Sequence, residues 1–261
     1  MQQYVHLVHS PQIKLLALFA DSLPNVANSS QKSTITIQQG DNAKMAETKE
    51  IIFIDKPRGI TSFGVIAILR RKLGIKRIGH AGTLDPFATG LLIVGIGAGT
   101  KKLKEFEALP KTYVMDVFLG KRTDTGDPEG KIIEEKKVGD VESSNVEKIL
   151  AGMEGELELP IPQYSAVKHK GIRLYKYARR GIKIEQKFRK TEIFKLKLFG
   201  VSRSGNNPVL RVEMDCEKGT YARAVGEELG RRLGIPAMLA ELRRTKIGDI
   251  SVDNAKKPEE I

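Results

Sequence analysis

One stretch of the sequence gathers what a reaction centre needs: Gly79-His-Ala-Gly-Thr-Leu-Asp-Pro-Phe-Ala-Thr-Gly90, followed by the apolar run Leu91 to Ile96. Gly79, Gly82 and Gly90 permit tight or left-handed backbone, and Pro86 turns Asp85 away from helical geometry. A single carboxylate is thereby expected on a constrained loop entering a buried element. Such a group can stabilise positive charge on a sugar, attack a carbon, or accept a proton. The plainer reading, Asp85 capping an Asp-Pro turn, fits the spacing equally well. Other chemistries find less support. Cys216 is the only cysteine, and neither a His-x-x-x-His nor a Cys-x-x-Cys spacing occurs, so a disulfide framework is excluded and no metal site is expected. Gly95-Ile-Gly-Ala-Gly-Thr-Lys-Lys102 follows an apolar run as a phosphate loop does, but it lacks the required Gly-Lys-Ser/Thr, and Thr100 stands where a dinucleotide loop needs glycine.

The elements around this loop read as a mixture of strands and helices without strict alternation, which points to an α+β fold with a mixed, largely antiparallel sheet. Ile51 to Ile54 is the first clear strand; Tyr113 to Leu119 and Val209 to Asp215 are two more. Thr61-Ser62 caps a helix with Val65, Ile66, Leu69 and Leu73 on one face and Gly74 at its end. Ser144 and Glu147 make a capping box, and Thr220 to Leu233 reads as a helix stopped by Gly234 and Pro236. The turn Gly126-Asp-Pro-Glu-Gly130 places a hairpin insertion near residues 122–135.

The 261 residues include 44 Lys plus Arg against 32 Asp plus Glu, a net charge of +12, which favours a polyanionic partner. Residues 1–44 carry only +1 of this (three Lys, two Asp) and have no helical period, so they are expected to be a mobile tail or an early start before Met45. The catalytic domain is expected over 45–250, with 251–261 a short tail. The apolar run Leu15 to Ala20 is too short to cross a bilayer, and the chain reads as cytoplasmic with no membrane partner.

His80-Ala-Gly-Thr-Leu-Asp-Pro-Phe-Ala-Thr-Gly90 resembles the catalytic motif of the TruB family, the bacterial tRNA pseudouridine-55 synthases. The likeness extends from about residue 50 to 247. Lys56-Pro-Arg-Gly-Ile-Thr-Ser62 is similar to the family's Lys-Pro-x-Gly element, Lys111-Thr-Tyr113 to its aromatic strand, and Arg122-Thr-Asp-Thr125 to the loop after it. Gln163 to Lys168, Gly171 to Tyr177, Lys218 to Arg223 and Leu242-Arg-Arg244 also fit. Two features depart from the pattern: Gly64 stands where many members have Asp, and only a short segment follows Ile247, where most bacterial members continue into a small RNA-binding domain.

The resemblance implies a pseudouridine synthase fold and isomerisation of a uridine in the T-loop of tRNA, without cofactor or metal. It implies Asp85 as the essential carboxylate, Arg223 paired with it to keep it ionised, and Tyr113 stacked on the flipped base with a hydroxyl available for proton transfer. His80 is implied near the flipped nucleotide, Tyr221 and Leu242 in the pocket wall, Asp124 near the arginine of the site, and Lys56 in the floor as a packing residue. Whether Asp85 attacks the sugar, attacks the base or abstracts a sugar proton stays open. Two basic runs, Arg70 to Arg77 and Lys168 to Lys183, are expected to cradle the T-arm phosphates. The partner implied is tRNA, met by a single chain without a guide RNA. A non-catalytic RNA chaperone on the same fold, and a guide-dependent relative, are the competing readings.

Overall fold

The computed structural model describes residues 50–261; the expectation for residues 1–44 lies outside them. In chain order the strands and helices are β1 (Ile51–Lys56), α1 (Ser62–Leu73), β2 (Ile78–Ala81), β3 (Thr89–Ile96), α2 (Leu103–Ala108), β4 (Lys111–Leu119), β5 (Lys121–Thr123), β6 (Ile132–Glu135), α3 (Ser143–Ala151) and β7 (Gly155–Pro160). There follow β8 (Lys168–His169), β9 (Ile172–Arg173), α4 (Leu174–Ala178), β10 (Phe188–Ser204), β11 (Asn207–Cys216), α5 (Ala222–Leu233), β12 (Ala237–Ile247) and β13 (Ile250–Ser251). Nine strands form one sheet in the order β1-β3-β12-β4-β11-β10-β7, with β2 on β3 and β13 on β12. Every pairing is antiparallel except β12 with β3. The fold is α+β, as the mixed pattern of the sequence requires.

The alternation in β4 is regular. Tyr113, Met115, Val117 and Leu119 point into the main core, while Val114, Asp116 and Phe118 lie on the other face. That core is closed by Val225 and Leu229 of α5 and Val146 and Leu150 of α3. A second core packs Val65, Ile66 and Leu69 of α1 against Ile54, Leu92 and Val94. Complete burial of each of these side chains contributes about 1.5–3 kcal/mol. The start of α1 follows from Thr61, whose hydroxyl accepts from Gly64 N at 2.9 Å. Its end follows from Gly74, whose φ of 68° is left-handed and whose N–H returns to Arg70 O.

Two helix starts differ from expectation. α3 begins at Ser143 with Glu142 at its N-cap and no side-chain capping bond, so Ser144 is already inside the first turn and no capping box forms. α5 begins at Ala222 after Tyr221, because Thr220 directs its hydroxyl to Glu217 O instead, closing the Lys218-Gly219 turn. The hairpin insertion is present as β5 paired with β6. At the other end, Ile261 packs against the α1 core and Lys256 bridges to Ile54, so residues 251–261 lie against the domain. No described helix is long and apolar enough to cross a membrane.

Candidate active site

Three separated segments hold the Asp85 loop in place. Ser62 Oγ donates to Leu84 O at 3.1 Å and accepts from Leu84 N at 2.9 Å. On the far side of Asp85, Pro86 O accepts from Gly59 N at 2.9 Å and from Lys56 Nζ at 3.2 Å. The peptides on either side of the carboxylate are thus pinned by the Lys56–Ser62 element, which explains physically why those residue types sit together. Lys56 is fully buried and donates also to Pro57 O and Ile60 O. Burial lowers its pKa to about 8, against the pull of the Asp85 and Glu129 charges.

Arg223, in the first turn of α5 and almost fully buried, meets Asp85 Oδ2 through Nε at 2.8 Å. Its Nη1 donates to Thr125 O at 2.6 Å and its Nη2 to Tyr164 O at 3.0 Å. The side chain of Asp85 keeps 36% of its surface open. Enclosure of its remainder raises the carboxyl pKa above the ordinary range; Arg223 opposes that shift, and Asp127 adds to it. The expectation that Arg223 holds the carboxyl ionised therefore meets a larger desolvation effect with the opposite sign.

Asp124 is not beside the arginine. Its carboxylate is exposed and accepts from Lys131 N at 2.8 Å, closing the β5–β6 turn. Asp127 takes the place expected of it: buried, with Oδ2 3.7 Å from Arg223 Nη1 and Oδ1 held by the Thr125 hydroxyl at 2.6 Å and Glu129 N at 3.0 Å.

Tyr113 lies opposite Arg244 in the β4–β12 ladder. Its phenol is pushed up in pKa by burial, with Arg244 opposing through charge and hydrogen bonding and the Asp85 charge reinforcing. Leu84, Phe87 and Leu242 belong to the same core cluster as Tyr113, so the ring shares its core with residues of the Asp85 loop. Tyr221 occupies the N-cap of α5, two residues before Arg223, and packs against the same cluster. His80, on β2, is half-buried, and its Nδ1 is enclosed without a partner. Burial, and then the Arg244 charge, lower its pKa, favouring the neutral ring.

Arg244 is the residue sequence reasoning assigned no role. It is 1% exposed, donates from Nε to Leu91 O at 2.8 Å and from Nη2 to Gly82 O at 2.9 Å, and ties both ends of the catalytic loop to β12. The signal was present: Leu242 faces inward, and the residue two further along a strand shares its face. A cavity of about 450 Å³ between the β5–β6 hairpin and α5, lined by residues that include Arg122, Glu227 and Arg231, contains neither Asp85 nor Tyr113.

The carboxylate of Asp85, held by the buried Arg223, thus stands on a loop entering a nine-stranded mixed sheet, and this sheet recurs in known proteins. One chain of a Cbf5-Nop10-Gar1 complex matches 77% of this chain with 50% of its own length at a TM-score of 0.57 and 26% identity. An archaeal box H/ACA sRNP Nop10-Cbf5 complex shares the fold at TM-score 0.57 and 24% identity, over 80% of this chain and 51% of the other. The model of the TruB family pseudouridylate synthases, described as their N-terminal domain, matches residues 70–222. The tRNA pseudouridine synthase B of Desulfotalea psychrophila is 45% identical over 211 residues, which are 80% of this chain and 85% of that protein. That of Aromatoleum aromaticum is 44% identical over 78% of this chain and 65% of its own length. The chain belongs to the TruB family, whose enzymes are isomerases.

Proposed function

We propose that this chain isomerises a uridine in the T-loop of tRNA, at position 55, to pseudouridine, with Asp85 as the essential group. In the reaction the N1–C1′ bond breaks, the uracil turns, C5 bonds to C1′, and the hydrogen displaced from C5 leaves as a proton while N1 gains one. The observation that carries the reading is the Asp85–Arg223 contact at 2.8 Å, on a loop fixed from both sides, with the Asp85 carboxylate partly open. In its ionised form this carboxylate can meet the positive charge that develops on the sugar as the glycosidic bond lengthens. Arg223 holds its orientation with all three nitrogens engaged, so little reorganisation accompanies the reaction. The target base leaves its stack to reach this loop, and the Tyr113 ring receives it, its raised phenol pKa keeping the hydroxyl protonated as a donor. Neutral His80 donates one hydrogen bond to the same nucleotide.

Two observations support tRNA without a guide RNA: the relatives at 36–45% identity are each named tRNA pseudouridine synthase B, while the chain from a Cbf5-Nop10-Gar1 complex stands at 26%. The exposed basic residues from Lys168 to Arg180 supply contacts to T-arm phosphates. The test is tritium release from tRNA labelled at uridine C5, since only the new carbon bond frees that hydrogen to water. Release that stops in Asp85→Asn supports the reading. Folded, RNA-binding protein that releases none is the result expected of an RNA chaperone.

A further inference from the structure

Among the described residues, Phe63 carries the most exposed large apolar side chain, at 61%. It sits in the first turn of α1 and belongs to none of the cores. Folding does not require it. Thr61 caps the helix, Ser62 pins Leu84, and Val65, Ile66 and Leu69 supply the buried face. Its location is specific all the same, one residue past the side chain that fixes the catalytic loop.

Two helical turns further on, Arg70 returns to the same flank. The centre of its guanidinium stands 5.4 Å from the centroid of the Phe63 ring. Its Nη2 donates to Ile78 O at 3.0 Å, at the start of the strand that carries His80, and its Nε is enclosed with no acceptor. The cation is therefore fixed between helix and sheet with the ring beside it. Arg71, Lys76 and Arg77 are exposed around this edge, and Arg77 is anchored by Thr100.

A flat apolar ring next to a fixed cation, framed by further positive charge, is what an unstacked base with its phosphate fits. We infer that Phe63 and Arg70 form a stacking platform for an unpaired nucleotide of the RNA substrate outside the Asp85 site. The inference rests on the proposed action on RNA. Extruding a target base leaves its loop neighbours without their stacking partners, and a second surface for one of them holds the loop open.

The probe is a T-arm stem-loop RNA with 2-aminopurine at one unpaired loop position at a time, measured with the parent chain, Phe63→Ala and Phe63→Tyr. In one position the parent quenches the fluorescence, and Phe63→Ala does not. Phe63→Ala weakens binding and raises KM roughly tenfold, within the range for loss of one base stack, with kcat and melting temperature unchanged. Phe63→Tyr behaves as the parent. The slope of log Kd against log salt stays the same in Phe63→Ala, because no phosphate contact is lost. Parent-like affinity of Phe63→Ala for a stem-loop that the parent modifies overturns the platform alone. A parent that dimerises through this ring, and becomes monomeric on Phe63→Ala, assigns the surface to a second copy and overturns it also. Absence of both RNA binding and tritium release in the parent removes the platform together with the functional reading.

Discussion

Arg223 meets Asp85 through Nε at 2.8 Å and commits its two remaining nitrogens to the backbone carbonyls of Thr125 and Tyr164. A lysine has one ammonium and cannot satisfy that forked arrangement. Arg223→Lys is therefore expected to keep the charge and lose the orientation, lowering kcat by about 10²-fold or more, while Asp85→Asn abolishes tritium release and leaves RNA affinity within a few-fold. Turnover of Arg223→Lys near the parent rate would show that charge alone suffices.

The two aspartates of the β5–β6 loop separate positioning from turn closure. Asp127→Asn removes the second carboxylate facing Arg223 and is expected to lower kcat with little change in KM. Asp124→Asn keeps an acceptor for Lys131 N and is expected to leave kcat unchanged, with a stability loss of no more than about 1 kcal/mol. Single-turnover rates and urea melts of both variants check the pair; a larger catalytic loss at Asp124 would reverse the assignment.

These aspartates mark the boundary of what is legible in the sequence. The Thr61 cap and the Gly74 stop are local, each decided by residues within one turn, and the sequence states them directly. The choice between Asp124 and Asp127 depends on how the chain bends between β5 and β6, where Gly126 takes φ 74° and turns the following carboxylate inward. Thr220 looked like a helix start until its hydroxyl found Glu217 O. Arg244 was legible only in part: the strand face it shares with Leu242 pointed inward, but its charge pointed out. A basic residue in a strand is normally solvated, and its burial is explained only by the carbonyls of Leu91 and Gly82, which the fold brings to it.

Tyr113 pairs with Arg244 across the β4–β12 ladder and has its ring in the core. Tyr113→Phe keeps the ring and removes the donor, so it is expected to slow the chemical step by about 10²-fold or more while RNA binding holds. Tyr113→Leu removes the flat face as well and weakens capture of the flipped base. Equal rates for parent and Tyr113→Phe in single turnover would leave stacking as the only role of this residue.

Lys56 gives a pH signature with a defined sign. Its pKa is about 8 in the folded chain against 10.5 ordinarily. Below pH 8 the amine is charged in both states. Between about pH 8 and 10.5 the folded chain releases the proton and the unfolded chain keeps it, so the contribution of Lys56 to stability rises with pH across that window. Lys56→Met lacks this contribution and is less stable throughout, because three carbonyls lose their donor. The melting-temperature gap between parent and Lys56→Met is expected to widen from pH 7.5 to pH 9.5. A constant gap would mean that the buried amine titrates as it does in water.

Gly90 lies between strands that carry two fully buried cations, paired with Lys56 on one side and Arg244 on the other. Its φ is +103°, and a Cβ there would stand 2.2 Å from Arg244 O and 2.8 Å from Arg244 N. Backbone cannot rotate away as a flexible side chain can, so Gly90→Ala must push β12 from β3 or distort the loop. A loss of more than about 3 kcal/mol is expected, from strain and close contact together, and seen as a melting point lower by roughly 6–12 °C for a chain of this size. Gly139→Ala is the control, since a Cβ there meets nothing within 4 Å, and it is expected to melt as the parent does. The displaced β12 would also carry Arg244 away from Gly82 O and Leu91 O, releasing the loop that holds Asp85. Activity measured well below the lowered melting point should therefore fall in Gly90→Ala and not in Gly139→Ala; a Gly90→Ala chain that melted early yet turned over normally when cold would show that Arg244 supports stability without positioning the site.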